Sequence, residues 1–251
     1  MKNWICIWLM WMACGSASAQ TQYAVLISAN AEWSAVCQIY PKELHHHSPW
    51  GDYFFKSISL GNKDVQVLFF HGGWGKVAAA GSTQYVISTF QPEVLINLGT
   101  CGGFPEVTSL FEVLLVQKTV VYDIYEAMGD AQEAIADYTT TLDLAWLPQP
   151  YPTPVKTACL ASADKDLQVG DLSTLQAQYQ AIAGDWETGA IAYTAHRNRR
   201  KLLILRAVSD LVGTQGSDLY NNENLFKERC VLVMKQLLDI LPQWLDKIEN
   251  P

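Results

Sequence analysis

The 251-residue chain has no basic stripe: Lys and Arg total 17 against 25 Asp and Glu, a formal net charge of −8. Nucleic acid and anionic membrane surfaces bind through clustered cations, so this balance argues against both as partners. Beyond the first twenty residues there is no apolar run of the ~20 residues that a spanning helix needs. There is also no C-x-x-C pair; Cys37, Cys101, Cys159 and Cys230 are widely spaced, which argues against a thiolate metal site. Those four cysteines allow three disulfide connectivities or none, and spacing does not choose. Repeats, low-complexity stretches and interdomain linkers are absent as well, so residues 20–251 are expected to form one domain.

The amino terminus reads differently from the rest. Lys2 is followed by the apolar run Trp4 to Ala13 and by the small residues Ala17-Ser18-Ala19. A basic start, a short apolar centre and an A-x-A site describe a secretory signal peptide over residues 1–19. A periplasmic or secreted protein is therefore expected, with no membrane attachment once mature. A lipoprotein signal using Cys14 is the rival reading, and Trp11-Met12-Ala13 before it fit that pattern poorly.

Several short apolar runs have the length and uniformity of strands buried on both faces. Lys201 to Gly213, KLLILRAVSDLVG, is the clearest; Tyr23 to Ser28 and Val94 to Leu98 are others. Tyr53 to Leu60 and Val65 to Phe70 read as a hairpin around Gly61-Asn62-Lys63. Phe111 to Val116, Thr119 to Tyr122 and Thr157 to Ala161 continue the strands. Helices are expected over Glu32 to Tyr40, Lys76 to Phe90, Leu172 to Ala183, Glu187 to Arg197 and Glu223 to Leu241, the last broken near Pro242. Ala127 to Pro154 is polar and poorly periodic, and reads as a long irregular excursion. This alternation describes an α/β layered domain.

In such sheets ligands bind beyond the carboxyl ends of the strands. Glu32 and Asp210 follow two buried strands, and Glu187 opens a helix of small residues. Glycine-rich segments, Gly73–Gly75 and Gly99–Gly103, lie at strand ends and let backbone approach a ligand. Carboxylates converging on such a pocket suit proton transfer and the activation of water, while three unrelated helix caps are the plainer alternative. His45-His46-His47 has no partner ligand at clear spacing and reads as a solvated loop. Trp33 and Trp74 flank these motifs, where aromatics more often belong to a core or an interface. No metal or cofactor is expected.

Four motifs in register, HGGWGKVAAA at 71–80, PEVLINLGTCGG at 92–103, GDWETGAIA at 184–192 and RAVSD at 206–210, together with ANAE at 29–32, resemble the purine and uridine phosphorylase superfamily. The likeness is greatest to the 5′-methylthioadenosine/S-adenosylhomocysteine nucleosidases. It implies a three-layer α/β/α sandwich with a central mixed, largely parallel sheet. It implies a purine nucleoside as substrate and water as nucleophile. By position, Asp210 resembles the general acid that protonates N7 of the departing base, with Ser209 orienting it and Arg206 supporting that strand end. Glu32 resembles the carboxylate that activates water, Thr100 a hydroxyl beside that water, and Glu187 the clasp on the ribose 2′- and 3′-hydroxyls. Gly102, Leu167 and Trp186 are expected against the substrate.

Two departures stand out. Trp186 replaces the methionine usual before the ribose glutamate, and SADKDL at 162–167 carries Lys165 and Asp166 where an aromatic often stacks on the base. The superfamily's phosphorylases hold phosphate with arginines near the first strand's loop and before the G-T-x-G motif; here those places read ISANAE and Asn97-Leu98, which favours hydrolysis over phosphorolysis. A phosphorylase is the alternative within the family, and a non-catalytic binding or storage protein the alternative outside it. The resemblance also implies a homodimer or higher homo-oligomer, with Tyr122 to Asp137 as the candidate subunit contact.

Overall fold

The computed structural model describes residues 21–61 and 63–250, so the expected signal segment lies outside the described residues. The three apolar runs form strands β1 (Tyr23–Ile27), β5 (Val94–Gly103) and β10 (Lys201–Leu211), buried along most of their length. Successive strand residues point to opposite faces, and this alternation divides the core in two. Tyr23, Val25, Ile27, Ile96, Leu203 and Leu205 pack on one side; Ala24, Leu26, Leu95, Leu202 and Ile204 pack on the other. Against the first side lie α1 (Asn30–Ile39) and the long α6 (Glu223–Glu249). Against the second lie α2 (Gly75–Phe90) and α5 (Thr188–Arg197), which also pack on each other. The result is a layered α/β/α arrangement around a mixed sheet.

The remaining strands are β2 (His46–Ser48), β3 (Gly51–Leu60), β4 (Lys63–His71), β6 (Val113–Val121), β7 (Thr139–Thr141), β8 (Lys156–Ser162) and β9 (Ala181–Asp185). The centre is parallel: β1 lies between β4 and β5, and β5 pairs with β10 along its whole length. The last residues of β5 also pair with β9, at Gly102↔Gly184. Because β10 pairs with β6, β6 with β8 and β8 with β9, these strands close into a ring. That closure gathers the carboxyl ends of β5, β9 and β10 in one place.

Five expectations need correction. Residues 172–183 are not one helix: α4 (Val169–Tyr179) stops at Gln180, whose φ of 59° is left-handed, and β9 follows. Gly184 of β9 is a packing requirement, since a Cβ there would lie 2.8 Å from Leu167 and 3.0 Å from the Ala161 carbonyl. The excursion at 127–154 contains α3 (Ala131–Asp137), capped by Asp130, and β7. The triple histidine is not a loop throughout, since His46 and His47 form β2, an exposed edge strand on β3. Phe111 precedes β6 rather than starting it, with φ 64°. Helix α6 runs through Pro242, because Leu237, Leu238, Leu241, Trp244 and Leu245 are all buried around it. Burying five large side chains at about 1.5–3 kcal/mol each outweighs the ~3 kcal/mol a helical proline costs.

Candidate active site

Three carboxylates stand at the gathered strand ends. Glu32 sits in the first turn of α1, just past β1, and is 1% exposed. Its Oε1 accepts hydrogen bonds from the Thr100 amide at 2.6 Å and the Thr100 hydroxyl at 2.8 Å. Among the described residues its Oε2 accepts one longer bond, from the Ala29 amide at 3.2 Å, and is the freer oxygen. Thr100 is presented by β5, so one strand end and one helix start fix this carboxylate from two sides.

Asp210 lies near the end of β10, 6% exposed. Ser209 donates to its Oδ1 at 2.7 Å and Ser217 donates to its Oδ2. Burial pushes its carboxyl above the ordinary range; the two hydroxyls oppose that shift without cancelling it. The effect is an aspartic acid biased toward holding a proton. Glu187 follows β9 at the head of α5, and its Oε1 accepts from the Gly75 amide at 3.0 Å. Burial, then the charge of Asp185, push Glu187 up to about 8 against the pull of Arg206. Cys101, between Thr100 and Gly102, has its thiol pushed well up by burial and is not poised as a thiolate nucleophile.

Beneath the carboxylates lies Arg206, 1% exposed. Its Nη2 contacts Asp185 Oδ2 at 2.9 Å and donates to Asn97 Oδ1 at 2.9 Å; its Nη1 donates to the Thr100 carbonyl at 3.1 Å and lies 3.6 Å from Glu32 Oε1. This packing explains Gly99. A Cβ there would lie 2.2 Å from Arg206 Nη1 and 2.7 Å from Glu32 Oε1, so only glycine lets the guanidinium and carboxylate meet across β5.

The cleft above these groups has a volume of about 1170 Å³. Of the residues singled out from sequence, Glu32, Thr100, Gly102, Leu167, Trp186, Glu187, Ser209 and Asp210 line it together. Arg206 does not: it sits behind the wall and acts through Asp185 and Glu32. Trp186 packs on Trp74 with ring centroids 4.7 Å apart, and that pair forms one lip of the cleft. Trp33 instead belongs to the core, stacked on His71 at 5.4 Å.

Four contributors were not singled out. Asp185 stands two residues before Glu187 in the same motif, and its value as the arginine's partner depends on strand pairing. Ser217 and Tyr220 come from the segment between β10 and α6, which carries no periodic signal. Arg229 on α6 donates to the Ser209 carbonyl at 2.6 Å and pairs with Asp218, tying that segment to the end of β10.

Residues 22–241 match the model of the phosphorylase superfamily. A 5′-methylthioadenosine/S-adenosylhomocysteine nucleosidase of Marinomonas sp. is 25% identical over 226 residues, spanning 85% of this chain and 96% of that one. One from Staphylococcus carnosus is 29% identical over 176 residues, 65% and 75% of the two chains. Among solved structures, the Arabidopsis thaliana 5′-methylthioadenosine nucleosidase superposes with a TM-score of 0.72 at 21% identity, covering 92% of this chain and 97% of its own. The Campylobacter jejuni 5′-methylthioadenosine/S-adenosyl homocysteine nucleosidase does so with 0.71 at 17% identity, covering 90% and 99%. At such identities these structures establish the shared fold.

Proposed function

The chain belongs to the phosphorylase superfamily, and from that premise we propose that it is a nucleosidase. It hydrolyses the N-glycosidic bond of a purine nucleoside of the 5′-methylthioadenosine, S-adenosylhomocysteine or adenosine type to free base and sugar. The observation that carries this reading is the charge arrangement of the cleft. Glu32, Glu187 and Asp210 face it, while the buried guanidinium of Arg206 is already committed to Asp185 and lies beside Glu32. Among the described residues the cleft wall carries two ammonium groups, Lys165 and Lys227, paired with Asp171 at 2.7 Å and Glu223 at 2.6 Å. Among the described residues a phosphate dianion would meet acidic side chains without an unpaired cation to offset them, whereas water meets a fixed base.

The chemistry follows from the positions. Asp210, holding a proton in its buried setting, transfers it to N7 of the base as the glycosidic bond lengthens, so the base leaves neutral. Positive charge develops on the ribose, next to the carboxylates of Glu32 and Glu187. Glu187 in its ionised form accepts hydrogen bonds from the 2′- and 3′-hydroxyls and fixes the sugar. Glu32, oriented by Thr100, takes a proton from water through its freer oxygen as that water bonds to the anomeric carbon. General acid and general base assistance each contribute about 10²–10⁴-fold.

The test is a panel of purine and pyrimidine nucleosides in phosphate-free buffer. Free purine and free sugar are expected from the adenosine-type members; dependence on added phosphate would overturn the reading. The same proposal places the enzyme outside the cytoplasm, on the strength of the pattern in residues 2–19. Protein recovered from periplasm or medium is expected to begin at Gln20, and a full-length cytoplasmic chain would contradict export.

A further inference from the structure

Tyr220 reaches across the cleft from the segment between β10 and α6. Its hydroxyl donates to the Leu167 carbonyl at 2.7 Å, joining two walls that belong to different loops. That bond uses the phenol's single proton, so the oxygen offers only lone pairs to anything else. Burial, reinforced by the charges of Asp210 and Asp166, pushes the phenol's ionisation up, and the proton stays. A Cβ on Gly102 would lie 3.3 Å from Leu167 and 3.6 Å from Asp210 Oδ2, so both border the same patch of cleft floor. Around Asp210, the proton donor of the proposed mechanism, the wall therefore carries oxygen acceptors: the Tyr220 oxygen, the Leu167 carbonyl and the Asp166 carboxyl group. The ammonium of Lys165 is engaged elsewhere, bonded to Asp171 at 2.7 Å and lying 5.0 Å over the Tyr122 ring.

A purine carries a matching code along its N7 edge. With a 6-amino group it offers an acceptor at N7 and a donor beside it; with a 6-oxo group it offers two acceptors. We propose that Tyr220 is a specificity-determining residue of this cleft, its phenol oxygen accepting a hydrogen bond from the 6-amino group of a base whose N7 takes the Asp210 proton. The assignment rests on the nucleosidase reading above. A 6-oxo base would set its carbonyl against oxygen acceptors with no proton between them, and such a mismatch is costly where water is excluded.

Tyr220→Phe keeps the ring and removes only the oxygen. The wild type is expected to favour adenosine over inosine in kcat/KM. The variant should lose about tenfold on adenosine and little on inosine, narrowing the ratio by that factor. Equal losses on both substrates would mean that the phenol is only a strap between the walls, and an unchanged ratio would mean that it does not read the base; either overturns the proposal. Calorimetric binding of adenine and hypoxanthine supplies a readout that needs no turnover. An adenine preference that narrows in the variant supports Tyr220 even if hydrolysis is absent, in which case the nucleosidase reading alone fails. Wild-type protein that binds the two bases equally overturns the Tyr220 assignment whatever the hydrolysis result.

Discussion

Asp210→Asn is expected to lower kcat by about 10²–10⁴-fold while leaving nucleoside affinity within a few-fold of wild type. The amide keeps the shape and its hydrogen bond with Ser209, but it has no acidic proton to give the leaving base. Asp210 is the group whose carboxyl burial has pushed up, so its protonated form is lost as pH rises through that elevated value. Wild-type kcat/KM should accordingly fall on the alkaline side, and the variant should lack that limb. Glu187, pushed up to about 8, works in the opposite sense: its ionised form fills as pH rises toward 8, so nucleoside affinity should strengthen over the same range. Steady-state kinetics from pH 5 to 9 separates the two. A variant within threefold of wild type in kcat would remove Asp210 from the chemistry.

Arg206→Met should be the most destabilising single change near the cleft. The guanidinium is 1% exposed, and its partners Asp185 and Glu32 are 4% and 2% exposed at their side chains. Removing one partner of a buried ion pair leaves charge uncompensated and costs about 3–5 kcal/mol. For a chain of this size that corresponds to a Tm lower by roughly 6–20 °C. Asp185 also accepts from the Thr188 hydroxyl at 2.6 Å, so Asp185→Asn can neutralise it while keeping a hydrogen-bonding group at the head of α5. The double variant Arg206→Met/Asp185→Asn should recover part of the loss, because fewer buried charges are then left unpaired. Denaturant unfolding reads both, and a single-variant loss below about 1 kcal/mol would show that Arg206 does not hold the carboxylates in place.

The frame of the molecule was legible because buried strands write themselves plainly. Tyr23 to Ile27 and Leu202 to Leu205 are apolar at every position, and only a sheet covered on both faces asks for that. Glu32, Glu187 and Asp210 were legible because each stands where such a strand or the helix after it meets the cleft. β9 was not. Its Gly184 is dictated by the crowding of Leu167 and Ala161, and a short alanine-bearing run after a helical stretch looks like more helix. Pro242 misled in the other direction, since a local rule about proline ignores the buried leucines on both sides. Arg206 was visible as a residue but not as the hub of the site, because its partners Asp185, Asn97 and Glu32 come from three separate stretches of chain. Ser217 and Tyr220 act through individual side-chain hydrogen bonds from an irregular segment, to Asp210 and to the Leu167 carbonyl, which leave no spacing to read.

The central proposal is that water, delivered by Glu32, is the nucleophile in a cleft whose described residues leave no unpaired cation for phosphate. It is tested most directly by running the reaction with an adenosine-type nucleoside in oxygen-18 water containing ample phosphate, then examining the sugar by mass spectrometry. The account predicts free sugar carrying one solvent oxygen at the anomeric position, formed at a rate that phosphate does not change. Unlabelled ribose 1-phosphate as the product would contradict it.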